Sequence, residues 1–295
     1  MTDATSNFVT CVSSAGLHRM AYKEWGDRDN PRELLCVHGV TRVGDDFDHL
    51  ARALSGAGDY RVICPDVVGR GRSGRLQNPQ FYRIPQYVSD MVTLLARVTN
   101  GREDQTVDWF GTSMGGLIGL GLASLPGNPI RKLVLNDIGP VLEPVALQRI
   151  GDYIGQDLRF NSFDEGAQFI RDVSASFGPH TEQEWHKLAT DVLRQDAEGK
   201  WVRHYDMGLA LPFRSVTPES VKADEAMLWA AYDAVQCPTL LVRGANSDLL
   251  TRATAQLMTQ RGPKATLVEI ADVGHAPTFI HDDQIAIARA FLLGQ

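Results

Sequence analysis

The sequence predicts an α/β protein with a mostly parallel, eight-stranded sheet, helices on both faces, and a helical cap inserted before the last two strands. Short strand-like runs alternate with helix-like segments, which implies crossover helices on both sides of one sheet. The middle strand-like runs are nearly all apolar, as expected for strands buried on both faces. The strand candidates are residues 8–12, 18–26, 33–39, 60–66, 105–111, 131–137, 238–244 and 265–270. The helix candidates are residues 47–54, 88–98, 114–125, 251–260 and 282–293.

One long interval, residues 139–236, interrupts this alternation. Its pattern is mostly helical, and we expect it to form a helical cap, or lid, on a core made of residues 1–138 and 237–295. Its aromatic side chains either line a pocket or pack a small core of their own. They include Tyr153, Tyr205, Tyr232, Trp185, Trp201 and Trp229. We keep Trp185 and Trp229 as candidate substrate contacts.

Size and charge narrow the class of partner. The 295 residues are enough for one large α/β domain with an insertion. The net charge of −7, with acidic and basic residues interleaved, argues against a nucleic-acid partner. No apolar run is as long as a membrane span, and the N-terminus lacks the pattern of a signal peptide. We therefore expect a small-molecule partner, with no membrane and no nucleic acid. The sequence makes no prediction of oligomeric state.

The four cysteines predict a cellular compartment rather than a site. Cys11, Cys36, Cys64 and Cys237 each lie in or beside an apolar run, and none forms a C-x-x-C pair. Such cysteines are typical of buried free thiols in a reducing compartment. We predict a cytoplasmic protein with no metal.

Two glycine motifs predict different functions. Residues 69–74, "GRGRSG", fit the G-x-G-x-x-G pattern of dinucleotide-binding loops, which must open a helix. Pro79 and Pro85 follow, and proline interrupts a helix that begins at the loop. The preceding strand is also not the first of the sheet. These contexts argue against dinucleotide binding, and we predict no cofactor.

The second motif, "GTSMG" at residues 111–115, fits G-x-S-x-G, a serine nucleophile on a sharp turn between a strand and a helix. A serine needs a base, and the base needs an acid that orients it. His275 and Asp248 each follow one of the last two strands, so we predict that they join Ser113 in a catalytic triad. Asp137 also follows a strand and is the alternative acid.

The loop after the third predicted strand and the serine turn also carry candidate site residues. An oxyanion needs oriented donors, and we nominate the backbone N–H groups of Val40 and Met114. We expect His38 to brace the oxyanion loop without titrating in the reaction. Arg42 either binds a substrate carboxylate or forms an ion pair with Asp45 or Asp46.

Five segments together resemble the capped α/β-hydrolase superfamily: "VHGV", "DVVGRGRSG", "FGTSMGG", "LVRGANSDLL" and "VGHAPTF". The resemblance covers nearly the whole chain and implies an α/β-hydrolase fold. In this family the triad runs in the order Ser113, Asp248, His275, and the glycine loop at residues 69–74 lies near the cap and binds no nucleotide. Epoxide hydrolases and haloalkane dehalogenases of this fold carry an aspartate at the position of Ser113, so those activities are disfavoured.

The resemblance implies a cofactor-independent serine hydrolase that cleaves a small, largely apolar carboxylic ester or lactone. Two alternatives stay open. One is a carbon–carbon bond hydrolase that acts on a vinylogous diketone acid. The other is a non-catalytic ligand receptor of the same fold.

Overall fold

A computed structural model describes residues 4–102 and 105–294, and its main feature is one eight-stranded sheet. The strands of this sheet are β1 (Thr5–Ser13), β2 (Gly16–Trp25), β3 (Glu33–Val37), β4 (Arg61–Pro65), β5 (Val107–Thr112), β6 (Ile130–Asn136), β9 (Thr239–Gly244) and β10 (Thr266–Ile270). Two short strands, β7 (Leu193–Gln195) and β8 (Trp201–Arg203), form a separate antiparallel pair. The order in the large sheet is β1-β2-β4-β3-β5-β6-β9-β10.

Six of these strands run parallel. β1 pairs antiparallel with β2, and β2 pairs antiparallel with β4, while every pairing from β4 to β10 is parallel. The predicted mostly parallel eight-stranded sheet is confirmed. Because the carboxyl ends of parallel strands meet at one edge, the loops after β3, β5, β6 and β9 are brought together there.

Helices cover both faces of the sheet. They are α1 (Asp48–Gly56), α2 (Ile84–Val98), α3 (Met114–Ala123), α4 (Pro144–Ile154), α5 (Phe163–Val173), α6 (Glu182–Val192), α7 (Pro218–Ala234), α8 (Arg252–Met258) and α9 (Asp282–Leu293). Adjacent residues of β5 point to opposite faces. Trp109 packs in a core cluster with Met91 and Ile118, and Phe110 packs in a second cluster with Leu50 and Ala288. The central sheet is therefore buried on both sides.

The interval at residues 139–236, here called the inserted segment, lies between β6 and β9. It contains α4 to α7 and also the β7–β8 pair, which the sequence did not predict because two three-residue strands carry no periodic signal. It is joined by backbone hydrogen bonds to the loop after β4. Gly71 N donates to His204 O at 2.9 Å, and Asp206 N donates to Gly69 O at 2.7 Å. The bounds of the inserted segment as a domain, and its role as a lid, stay predictions.

The glycine loop at residues 69–74 opens no helix. The next α-helix, α2, begins at Ile84, with Pro85 in its first turn. The loop instead surrounds Asp66, a buried residue whose carboxylate accepts hydrogen bonds from Gly44 N at 2.8 Å and Arg72 N at 2.9 Å. The loop is therefore held by Asp66 and forms hydrogen bonds with the inserted segment.

The thiols of Cys11, Cys36 and Cys64 are buried, that of Cys237 is half-buried, and all four cysteines are free. Within the described ranges, no helix combines the length and the apolar character that a membrane span requires.

Candidate active site

Ser113 stands on a strained turn between β5 and α3. Its φ of 52° and ψ of −117° place it in a region that residues other than glycine rarely adopt. The flanking glycines are required by space. A Cβ at Gly111 would collide with the backbone of Gly115, and a Cβ at Gly115 would collide with the carbonyl of Val37. The G-x-S-x-G spacing therefore follows from the close approach of the turn, its helix and β3.

His275 connects Ser113 to a buried aspartate. Its Nε2 lies 2.9 Å from Ser113 Oγ, and its Nδ1 lies 2.8 Å from Oδ2 of Asp137. An ionised carboxylate only accepts hydrogen bonds, so Nδ1 carries the proton and Nε2 is left to accept one from the serine. Asp137 is fully buried and also accepts from Gly244 N at 2.8 Å and Ser247 Oγ at 2.6 Å. The carboxylate is thus fixed in position against the imidazole.

The prediction that Asp248 contacts His275 is wrong. After β9 the chain turns so that Ser247 faces Asp137, while the Asp248 side chain is 47% exposed and forms an ion pair with Arg149 of α4. That hydrogen-bonded pairing with Arg149 lowers the pKa of Asp248. Asp137, the alternative acid of the sequence analysis, occupies the place expected for Asp248.

The two nominated oxyanion donors have free N–H groups. Neither the N–H of Val40 nor that of Met114 donates to any residue within 4–102 and 105–294. Met114 is the first residue of α3, where an N–H has no partner inside the helix. Gly39, next to Val40, lies against Ser113, since a Cβ at Gly39 would stand 3.7 Å from the Cβ of Ser113.

The buried His38 holds the loop that carries Val40. Its Nδ1 lies 2.7 Å from Gly39 O, and its Nε2 accepts from Val67 N at 2.9 Å. Burial lowers the pKa of His38 to about 4, so the imidazole is neutral near pH 7. This geometry agrees with the expectation that His38 braces the loop without titrating.

Arg70, from the glycine loop, contacts both Val40 and Met114, the two residues nominated as oxyanion donors. Its side chain is buried, and its Nε donates to Val40 O at 2.9 Å. Its Nη2 lies 3.2 Å from the Met114 sulfur. The glycine loop at residues 69–74, whose pattern resembles a dinucleotide-binding motif, therefore holds the residues next to Ser113.

A cavity opens at Ser113 and His275, and its walls are mostly apolar. Arg42 lines it, but its guanidinium is already paired. Nε and Nη2 of Arg42 donate to the two carboxylate oxygens of Asp46 at 2.7 and 2.6 Å. Of the two expectations for Arg42, the structure supports the ion pair with Asp46.

Neither of the two candidate tryptophans lines the cavity. Among the described residues that line the cavity, neither Trp185 nor Trp229 is present. Trp185 packs against Leu188 and Ile280, and Trp229 contacts the ring of Tyr232 edge-on. The prediction that these tryptophans contact substrate in this cavity is therefore not supported.

Other side chains of the inserted segment line the cavity instead. They include Arg149, Ile150, Tyr153, Phe169, Arg203 and Tyr205. The sequence offered Tyr153 and Tyr205 as aromatics of undetermined role. Nothing in it marked Arg203, because the strand β8 that places it was not predicted.

The sheet order and the serine turn together define a hydrolase fold, and the family comparison agrees. Residues 34–290 match the model of the alpha/beta hydrolase family, and the chain belongs to that family. Among individual proteins, it is 56% identical over 290 residues to a 3-hydroxybutyrate-oligomer hydrolase of Cupriavidus necator, covering 97% of each chain.

Solved structures show the same fold. An alpha/beta hydrolase from Novosphingobium aromaticivorans superposes with a TM-score of 0.84 at 34% identity, over 99% of each chain. A thermophilic esterase from Thermogutta terrifontis superposes with a TM-score of 0.72 at 18% identity, over 99% of each chain, and shows the fold alone. The predicted family, the predicted fold and the prediction of a hydrolase of the esterase type are confirmed.

Proposed function

We propose that this chain hydrolyses short oligomers of 3-hydroxybutyrate by serine acyl transfer. The observation that carries the proposal is the bridge that His275 forms between Ser113 and the buried Asp137. The substrate class comes from the Cupriavidus necator relative, whose sequence is similar along almost the whole chain. Such oligomers are small carboxylic esters, as the sequence predicts, although each also carries a free carboxylate that a largely apolar ester lacks.

The proposed reaction has two steps. His275 Nε2 takes the proton of Ser113 while Oγ attacks the ester carbonyl, and Asp137 stabilises the imidazolium that forms. The N–H groups of Val40 and Met114 stabilise the oxyanion. His275 then gives its proton to the leaving alcohol. In the second step it deprotonates a water, which attacks the acyl carbonyl. The bond between the acyl group and Ser113 Oγ then breaks, the acid leaves, and His275 returns the proton to Oγ.

Two features of the site support stabilisation of the negative charge on the oxyanion. Val40 and Met114 present N–H groups that find no acceptor among the described residues, and a preorganised pair of this kind would need no rearrangement when the oxyanion forms. Ser113 is 8% exposed at the cavity, so the reaction would take place with little water around the developing charge.

The test is hydrolysis of the 3-hydroxybutyrate dimer and trimer by the purified chain, beside p-nitrophenyl butyrate, a lactone and a vinylogous diketone acid. The proposal expects turnover of the dimer and trimer, with loss of that turnover in Ser113→Ala. Faster turnover of the diketone acid than of every ester would favour the carbon–carbon hydrolase alternative. Binding without turnover of any compound would favour the receptor.

The cytoplasmic location stays a prediction.

A further inference from the structure

Three arginines line the cavity beside Ser113, and they differ in what neutralises them. Arg42 is paired with Asp46, and Arg149 is paired with Asp248. Arg203, on β8, donates instead to two backbone carbonyls. Its Nη1 donates to Tyr153 O at 2.6 Å, and its Nη2 donates to Gln156 O. In the part of the chain that the structure describes, no carboxylate forms an ion pair with Arg203.

Arg203 is buried as well as unpaired, being only 6% exposed. A guanidinium taken out of water without an opposite charge is costly. That cost lowers the pKa of Arg203 below its usual value, although the group remains a cation at neutral pH. Of the three cavity arginines, it is the one that forms no ion pair with a carboxylate of the described residues.

The surroundings fix this cation rather than neutralise it. Its Cζ lies 5.6 Å from the ring centre of Phe169 and 5.0 Å from that of Tyr205. The carbonyls of Tyr153 and Gln156 belong to the last turn of α4 and the residues just after it, where the helix dipole favours a positive charge. The guanidinium is thus held at the cavity wall by carbonyls and aromatic rings, and no carboxylate of the described residues forms an ion pair with it.

We infer that Arg203 binds the free carboxylate of the substrate, so that the enzyme acts on esters that carry a terminal carboxylate. This inference rests on the proposed function and narrows its substrate class. In a dimer of 3-hydroxybutyrate, the free carboxylate belongs to the leaving alcohol, and its charge supplies the partner that Arg203 lacks. Arg203 is then a specificity residue that selects the acid end of the oligomer over a capped end.

The experiment compares the 3-hydroxybutyrate dimer with its methyl ester, which differ only in the terminal charge. For Arg203→Gln, kcat/KM on the free-acid dimer is expected to fall roughly 10- to 100-fold, the range for a lost hydrogen bond to a charged group. The kcat/KM on the methyl ester should change little. Arg203→Lys, which keeps a charge at the site, should recover part of the preference.

Arg194→Gln is the matched control. Arg194 lies on β7 of the same two-stranded sheet, is exposed, and its substitution makes the same change in net charge. It should leave the ratio of the two kcat/KM values unchanged. An equal fall on both substrates in Arg203→Gln means that Arg203 only supports the fold around α4, and the inference is then wrong. It is also wrong if neither substrate is affected.

A binding measurement tests this inference separately from the proposed function. Calorimetry measures the affinity of the dimer and of its methyl ester for Ser113→Ala, with and without Arg203→Gln. Weaker binding of the free acid alone in the double variant supports the carboxylate site, even if the wild-type protein hydrolyses no oligomer. Hydrolysis of neutral esters, with no effect of Arg203→Gln on dimer binding, keeps the hydrolase and rejects the carboxylate site.

Discussion

At the scale of single residues, the pair of Arg42 and Asp46 shows how the cavity wall is stabilised. The bidentate contact is largely buried, and Arg42 Nη2 also donates to Leu188 O of α6 at 3.0 Å. The Asp46 carboxylate raises the pKa of Arg42 above its usual value, even though burial acts in the opposite direction. The pair therefore holds a loop of the sheet edge to the inserted segment.

Breaking this pair from one side should be costly. Arg42→Met leaves the half-buried Asp46 carboxylate without its partner, and we expect a loss of roughly 3 kcal/mol in the free energy of unfolding. The double variant Arg42→Met/Asp46→Leu should recover much of that loss, since no charge then remains unpaired. Urea denaturation of the single and double variants measures both values.

The exposed pair of Arg149 and Asp248 provides the comparison. Exposed ion pairs contribute about 0–1 kcal/mol, so Arg149→Met should change the free energy of unfolding far less than Arg42→Met. Equal losses for the two methionine variants would contradict this account of the cavity wall.

The sequence could not decide which aspartate is the acid of the triad. Asp137 and Asp248 each follow a strand whose carboxyl end lies at the same edge, so chain order admits both. The two aspartates differ because the turn after β9 directs Ser247 toward Asp137 and leaves Asp248 about half exposed, in an ion pair with Arg149. Ser113 and His275, which have no such rival, were predicted together and lie together.

At the scale of elements, the loop between β3 and α1 depends on a neutral histidine. His38 has a folded-state pKa of about 4, below the ordinary value of about 6.5. A depressed pKa contributes stability that is fully present above pH 6.5 and is lost as the pH falls toward 4.

This linkage predicts a difference in pH dependence. Between pH 7 and pH 4, the wild-type protein should lose on the order of 3 kcal/mol more of its free energy of unfolding than His38→Gln does. Other titrating groups are common to both proteins and cancel in the comparison. Thermal or urea unfolding across this range supplies the two profiles, and parallel profiles would show that His38 is not buried as a neutral group.

Elements with a clear period were predicted well. The helix at residues 282–293 begins and ends as predicted, and the strand ends of the large sheet differ from prediction by at most three residues. The β7–β8 pair was missed because its strands are short and have no alternation of their own. That omission also hid Arg203, which lies at the end of β8.

At the scale of the whole molecule, the cavity is made jointly by the sheet edge and the inserted segment. The sequence predicted the insertion from the break in the β–α rhythm, but the residues that face Ser113 depend on how α4 and α5 pack. The abundance of aromatic residues made Trp185 and Trp229 candidates, but both pack in apolar clusters and neither side chain lines the cavity. The strands and the mostly parallel sheet could be predicted because local apolar patterns and the alternation of strands with helices indicate them. The lining of the cavity could not be predicted because tertiary packing specifies it.

The central claim is that Asp137 orients His275 so that it activates Ser113. The most direct measurement is the rate at which a fluorophosphonate labels Ser113, followed by mass spectrometry, because it needs no knowledge of the substrate. Asp137→Asn and Asp248→Asn are the matched pair, and Ser113→Ala defines the background.

We predict that Asp248→Asn labels at nearly the wild-type rate, and that Asp137→Asn labels roughly 100- to 10,000-fold more slowly because the imidazole loses its tautomer and its stabilising charge. Loss of labelling in Asp248→Asn with normal labelling in Asp137→Asn would contradict the account.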